Sequence, residues 1–193
     1  MIKSYKHQVF IVIGILLSLF LFASNPLQLD VKAAKVLAIA FILIQFIQID
    51  KTSNSDETFH MSTKYNMPEE VSTLLKNACY NCHSNVVSYP WYSYVQPVGW
   101  WLNNHISEAR RELNFSTFTN GSIARQNHKF EEILEEVKED EMPLKSYTYF
   151  GLHPEAKLTD AQRGVITSWA QLQMNLIAGQ YPADSLVLKK RIK

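Results

Sequence analysis

The sequence predicts an all-α fold that is preceded by a hydrophobic N-terminal region. Three observations predict this class. Apolar residues recur at intervals of three and four along four segments of the chain after residue 66. Helix-start residues precede several of these segments, and no segment alternates apolar with polar residues as a half-buried strand would.

The N-terminal region contains two apolar stretches, residues 9–23 and residues 36–49. Neither stretch has a polar face, which favours membrane segments over buried core helices. The first has the basic start and polar break of a signal peptide, and as a helix it rises about 22 Å, less than a hydrocarbon core of about 30 Å. The second follows Lys32 and Lys35, which could lengthen its span by snorkelling. The sequence therefore predicts a membrane anchor over 1–49 and leaves its spans, orientation and cleavage open.

The charge is distributed unevenly, although the formal net charge is only +1. Residues 51–188 contain 11 Lys and Arg against 16 Asp and Glu, and four cations crowd the last five residues. A nucleic-acid-binding domain normally presents a basic face, so no nucleic-acid partner is expected. The predicted organisation is a hydrophobic region over 1–49, a polar linker over 50–66, a helical domain over 67–180 and a basic tail over 181–193.

The first helix of this domain is predicted to begin at Pro68. Proline is favoured at the first helical position, and Glu69 and Glu70 follow at the positive end of the helix dipole. The apolar face of the helix consists of Val71, Leu74, Leu75 and Ala78. The helix leads directly into Cys79.

Three further helices follow. The spacing predicts one over 98–112 and another over 122–139. The last begins after Thr159, which fits a capping box with Gln162. The segment 142–158 is predicted to be a loop, because three residues interrupt any helical pattern there. These are Pro143, Gly151 and Pro154.

Cys79, Cys82 and His83 form the pattern C-x-x-C-H, which is typical of c-type haem attachment. Two thiols at this spacing can reach the two vinyl-derived positions on one edge of a porphyrin. The imidazole of the following histidine can then turn beneath the ring and become the proximal iron ligand. Because the chain has no other cysteine, the sequence predicts one covalently bound haem c per chain.

Two other interpretations of the cysteine pair remain open. A structural zinc site needs two more Cys or His ligands at suitable spacing. The domain offers only isolated histidines for this purpose: His60, His105, His128 and His153. A dithiol redox pair is expected within a βαβ unit, and the helical pattern does not provide one.

The sixth iron ligand has three candidates. Met142 precedes Pro143 in the predicted loop, and its neutral thioether would stabilise the ferrous state and raise the potential. His105 lies on an apolar helix face and would give a bis-histidine site of lower potential. His153 is a third candidate, and an open sixth position is the remaining alternative. The sequence favours Met142, with His105 as the alternative distal ligand to the proximal His83.

Further runs surround these candidates. They are Tyr89-Pro-Trp-Tyr, Pro97-Val-Gly-Trp-Trp-Leu, Asn114-Phe-Ser, Glu141-Met-Pro-Leu and His153-Pro-Glu-Ala-Lys-Leu-Thr. Together with Cys79-Tyr-Asn-Cys-His-Ser-Asn they resemble the bacterial haem-binding domain family over roughly residues 59–178. The family consists of small, membrane-anchored proteins with a single haem that look like class I cytochromes c.

The resemblance implies a cytochrome c-like helical fold, a covalent haem and exposure on the far side of the cytoplasmic membrane. Cys79, Cys82, His83 and Met142 stand where the family pattern has them. The chain departs from the pattern at the N-terminus, where an additional apolar stretch precedes the usual single anchor.

The expected function is that of a membrane-tethered carrier of one electron between redox partner proteins. The domain would face the periplasm or another extracytoplasmic side. The alternatives are a peroxidase-like enzyme and a haem-based ligand sensor, both of which need an open or labile sixth position.

Overall fold

The computed structural model describes residues 31–49, 51 and 55–188. This part of the chain is helical, and the described residues form no strand, as the sequence predicts. Their α-helices are α1 (Val31–Ile44), α2 (Glu69–Ala78), α3 (Tyr80–His83), α4 (Val98–Glu112), α5 (Ile123–Lys138), α6 (Lys145–Thr148) and α7 (Asp160–Gln180).

The prediction of an N-terminal membrane-spanning segment needs correction. The stretch 9–23 lies outside the described residues. The stretch 36–49 falls largely on α1, which ends at Ile44 after 14 residues and therefore rises only about 21 Å. None of the helices in the described ranges combines the length and the apolar character needed to cross a bilayer.

The chain divides into two compact units. The first comprises the described residues up to Lys51 together with Tyr89–Asn104, and the second comprises those of Thr52–Ser88 and His105–Lys193. Helix α4 contributes residues to both. Contacts between distant segments define these units, and no local pattern in the sequence reports such contacts.

Two glutamines join distant segments of the first unit. The Gln45 side chain pairs with the Gln96 backbone: its amide donates to the Gln96 carbonyl at 3.0 Å, and its oxygen accepts from the Gln96 N–H at 2.9 Å. The Trp100 indole also donates to the Ile47 carbonyl at 2.9 Å. These bonds satisfy the backbone of Gln96, just before α4, and the Ile47 carbonyl, just beyond the end of α1.

The core of the second unit lies where α5 packs against α7. Phe130 of α5 is fully buried, and its ring lies 5.5 Å from that of Trp169 on α7. Tyr65 and Phe118 approach the other sides of Phe130, with ring centroids at 4.8 and 5.1 Å. The edge-to-face orientations are those that aromatic quadrupoles prefer.

The helix boundaries agree closely with the sequence. Ser122 caps α5 by accepting from the Arg125 N–H, and Thr159 forms the predicted capping box with Gln162 at the start of α7. Pro68 proves to be the N-cap of α2 and not its first residue. The segment 142–158, predicted as a loop, also holds α6 and two short 3₁₀ turns.

The segment 50–66, predicted as a linker, contributes to the core of the second unit. Met61 and Tyr65 are buried there, and the Trp169 indole donates to the Asn66 carbonyl at 2.9 Å. At the other end, Tyr181 and Leu186 pack against the same core. The cations of the predicted basic tail, in 189–193, lie outside the described residues.

Candidate haem site

The cysteine–histidine motif occupies a tight turn at the end of α2. Cys79 leaves the helical conformation, but its N–H still donates to the Leu75 carbonyl at 2.9 Å. The N–H groups of Cys82 and His83 then both donate to the Cys79 carbonyl, at 3.1 and 2.9 Å. Because Val71, Leu74 and Leu75 bury the inner face of α2, the core fixes the position of this turn.

His83 is held by a backbone carbonyl that a helix end leaves available. Nδ1 lies 3.0 Å from the Leu113 carbonyl oxygen, and since a carbonyl only accepts, Nδ1 must carry the proton. Leu113 follows the last residue of α4, where carbonyls lack partners within the helix. In the neutral ring the lone pair therefore lies on Nε2. A hydrogen bond at the second ring nitrogen is the usual means of orienting a histidine that binds a metal.

The surroundings of His83 favour this neutral form. Burial is the main cause that lowers the pKa of His83, so the imidazole is uncharged at neutral pH. The Phe115 ring meets the imidazole edge to face, with centroids 6.4 Å apart. A neutral imidazole is the form that ligates a metal.

Cys79 and Cys82 are free, half-buried thiols. Burial, with a smaller effect from Cys82, raises the pKa of Cys79 to about 12, and burial also raises the pKa of Cys82. Both sulfurs are therefore protonated at neutral pH. Within the described ranges, no group of three or more Cys, His, Asp or Glu side chains is placed to hold a metal ion.

The residues that follow the motif tie it to the end of α4. Arg110 Nε donates to the Ser84 carbonyl at 2.7 Å, and the Asn114 amide donates to the Asn85 side chain at 2.8 Å. The Ser116 hydroxyl accepts from the Asn85 N–H at 3.0 Å. No local pattern in the sequence predicts these supports, since each bond joins residues 26 to 31 positions apart.

Met142 is half-buried and begins the segment that was predicted as a loop. Its N–H donates to the Glu136 carbonyl at 3.1 Å, so the end of α5 holds it from one side. Its carbonyl accepts from Arg163 of α7 at 2.8 Å. The predicted ligand therefore lies on a fixed backbone.

The same segment returns to the motif five residues later. The Asn81 amide, between the two cysteines, donates to the Tyr147 hydroxyl at 3.0 Å. The Tyr147 ring stacks on His153, with centroids 4.0 Å apart and planes within 6°. The structure thus brings the Met142 segment to the turn that carries Cys79 and His83.

The two rival histidines occupy different settings. His153 is stacked on Tyr147, and its Nδ1 lies 3.2 Å from a Glu155 carboxylate oxygen. His105 is half-buried on α4. The choice of the sixth ligand between Met142 and His105 stays a prediction.

A cavity of about 720 Å³ adjoins the motif, and Tyr80 and Asn81 form part of its wall. Its lining does not include Cys79, Cys82 or His83, so it is separate from the predicted ligand atoms. The rest of the wall is mixed in polarity and includes His60, Met67, Lys76 and Val86.

One protein family matches most of the chain. The model of the family described as haem-binding domain matches residues 39–172, which is more than two thirds of the chain. The chain belongs to the haem-binding domain family. No curated protein and no solved structure gave a significant match.

This haem-binding domain is matched from within α1 to within α7, so the match includes the motif, Met142 and their supports. The residues present fit a haem. The motif offers two free thiols and an imidazole whose Nε2 carries the lone pair. A histidine imidazole is a common proximal ligand of haem iron, and two thiols at this spacing are typical of c-type haem attachment.

Proposed function

We propose that the domain binds one haem covalently through Cys79 and Cys82, with His83 as the proximal iron ligand. The hydrogen bond from His83 Nδ1 to the Leu113 carbonyl is the observation that carries the proposal. It leaves Nε2 with the lone pair, and it fixes the ring on the same turn as the two thiols.

The two thiols form the attachment. Each S–H would add across one vinyl double bond of the haem, so that sulfur bonds to one carbon and the hydrogen goes to the other. Nothing leaves, and no oxidant or reductant is consumed. Because c-type haem is attached outside the cytoplasm in the proteins that this chain resembles, we place the domain on the extracytoplasmic side.

Met142 is the proposed sixth ligand, and His105 is the alternative. The segment after Met142 contacts Asn81 through Tyr147, which supports Met142. A thioether is soft and neutral, so it favours the ferrous state and raises the potential.

The function that this ligand set fits best is the transfer of single electrons between redox partner proteins. Bound haem supplies the one-electron chemistry. His83 and Met142 would hold the iron, and Cys79, one of the two attachment residues, packs against the core. If His83 and Met142 both bind the iron, peroxide or a gas would have to displace one of them in order to bind. The tests below therefore also include the results that a peroxidase-like enzyme or a haem-based sensor would give.

The covalent attachment is tested by the double variant Cys79→Ala/Cys82→Ala. Protein purified from cells with the c-type haem maturation machinery is extracted with acid acetone. We expect the haem to stay with the wild-type polypeptide, whose mass rises by one haem, and to leave the double variant entirely. Haem that stays with the double variant through this extraction would refute the proposed linkage.

The sixth ligand is tested by ferric and ferrous spectra of Met142→Ala and His105→Ala. We expect wild-type protein to be six-coordinate and low-spin, with the weak long-wavelength band of methionine bound to ferric iron. Met142→Ala should lose this band, and His105→Ala should keep it. The reverse pattern identifies His105 as the ligand. High-spin wild-type iron that binds peroxide or carbon monoxide rapidly would point to an enzyme or a sensor instead of a carrier.

A further inference from the structure

Arg163 of α7 reaches across to the segment that carries Met142. Its Nη1 donates to the Val137 carbonyl at 3.0 Å and to the Met142 carbonyl at 2.8 Å. Its Nη2 forms an ion pair with Asp140. The Arg163 side chain is only 16% exposed. One guanidinium therefore binds three acceptors, all of which lie at the junction between α5 and the Met142 segment.

The other side of this segment is fixed by α5. The N–H groups of Glu141 and Met142 both donate to the Glu136 carbonyl, at 3.0 and 3.1 Å. Asp140 has a φ of +62°, a left-handed conformation that ends the helix and turns the chain back. The Met142 backbone is thus held at its N–H by α5 and at its carbonyl by α7.

The chemistry of the three acceptors suits an arginine. The Val137 carbonyl lies in the last turn of α5, where carbonyls lack N–H partners within the helix. This turn is also the negative end of the helix dipole, which favours a cation. A planar guanidinium offers several donors in a fixed fork and can serve two carbonyls and a carboxylate at once. A lysine ammonium is a point charge on a flexible stem and cannot reproduce this geometry.

We propose that Arg163 is a positioning residue that holds the Met142 thioether at the haem iron. The inference rests on the proposed ligation by Met142. A neutral thioether is easily displaced from ferric iron, so the ligand must be presented by a backbone that does not move. Arg163 provides this rigidity without touching the haem ligand's sulfur.

Four variants of the full chain, purified with haem, test the proposal. Arg163→Gln removes the charge and the fork. Arg163→Lys keeps the charge only. Asp140→Asn removes the ion pair with Arg163, together with the exposed pair to Lys145, but keeps the two carbonyl bonds. Asparagine tolerates the left-handed conformation. Arg111→Gln is the matched control, since Arg111 is 69% exposed and pairs only with surface glutamates.

Three readouts separate positioning from a merely structural role. We expect Arg163→Gln to weaken or abolish the methionine–ferric band and to lower the midpoint potential. Hydrogen exchange at the Glu141 and Met142 amides should become faster by on the order of tenfold, since bonds to a charged donor are lost. The same three measurements should change in Arg163→Lys in the same direction as in Arg163→Gln, but less. Asp140→Asn should give values between those of Arg163→Lys and wild type, and Arg111→Gln should match wild type.

The outcomes distinguish the inference from the proposed function. A methionine band that survives in Met142→Ala overturns the ligand assignment, and the inference with it. Suppose that Met142→Ala loses the methionine band, whereas Arg163→Gln keeps both the band and the midpoint potential of wild type. This result overturns the inference about Arg163 and leaves the ligand assignment intact. If Arg163→Gln does not fold, Arg163→Lys and Asp140→Asn decide: a wild-type band, potential and amide exchange in both would overturn the positioning role.

Discussion

Gly99 is the second residue of α4, where the helix lies against the preceding segment of chain in the first unit. A Cβ atom at this position would lie 2.3 Å from the Ser93 carbonyl oxygen and 2.9 Å from the Gln96 side-chain amide. Ser93 and Gln96 are both fully buried, so neither has room to retreat. The close approach, and not an unusual backbone conformation, requires glycine here.

Replacing Gly99 with alanine should therefore destabilise the protein. We expect Gly99→Ala to lower the free energy of unfolding by about 1–3 kcal/mol, as overpacking of a filled interior does. Gly164→Ala on α7 is the matched control, because no atom lies within 4 Å of its added Cβ. The control should gain roughly 0.5–1 kcal/mol from lower backbone entropy in the unfolded chain. Urea unfolding followed by circular dichroism measures both, and equal effects would contradict the steric argument.

At the scale of the element, α7 depends on its first turn. The Thr159 hydroxyl accepts from the Gln162 N–H at 3.3 Å, and the Gln162 side chain accepts from the Thr159 N–H at 2.9 Å. Two N–H groups that the helix itself leaves unpaired are satisfied in this way. Because α7 carries Arg163 and Trp169, its start fixes both the core and the support of Met142.

Two threonine-to-alanine changes, one at the cap of α7 and one inside the helix, should have different effects on stability. Thr159→Ala removes the cap, and we expect it to cost about 0.5–2 kcal/mol of unfolding free energy. Thr167 lies inside α7, and its hydroxyl only bonds back to the Arg163 and Gly164 carbonyls. Since alanine is the better helix former, Thr167→Ala should leave stability unchanged or raise it by a few tenths of a kcal/mol, roughly. Thermal melts of the two variants measure both effects. A Thr159→Ala melting temperature equal to that of wild type would show that the cap does not stabilise α7.

At the scale of the whole molecule, the second unit depends on one aromatic cluster. Phe130 is fully buried between Tyr65, Phe118 and Trp169, which come from segments far apart in the chain. Burial of such rings is the largest single source of stability in a small helical core. The cluster also joins α5 and α7, the two helices that hold the Met142 backbone.

Two phenylalanines of very different burial provide a test. Phe130→Ala should cost about 3–5 kcal/mol, from lost burial and from the cavity that it leaves. Phe150 is 98% exposed, and Phe150→Ala should change stability by less than about 0.5 kcal/mol. Chemical unfolding of the haem-loaded proteins measures both. A small effect of Phe130→Ala would mean that the core lies elsewhere.

The sequence by itself determined the local features of this protein. The C-x-x-C-H spacing, the capping box at Thr159 and the bounds of α4 are set by residues close together in the chain, so local physics specifies them. The haem assignment followed from the motif for the same reason. The expected membrane span did not hold over α1, because hydropathy reports composition and does not report where a helix ends.

Only the tertiary structure decided what lies between distant segments. The acceptor of His83, the return of Tyr147 to Asn81 and the reach of Arg163 to Met142 join residues about 20 to 66 positions apart. No periodicity encodes such pairs, because each depends on how whole helices pack. The motif thus names the cofactor, whereas the packing of α5 against α7 determines how the segment that carries the predicted second ligand is held.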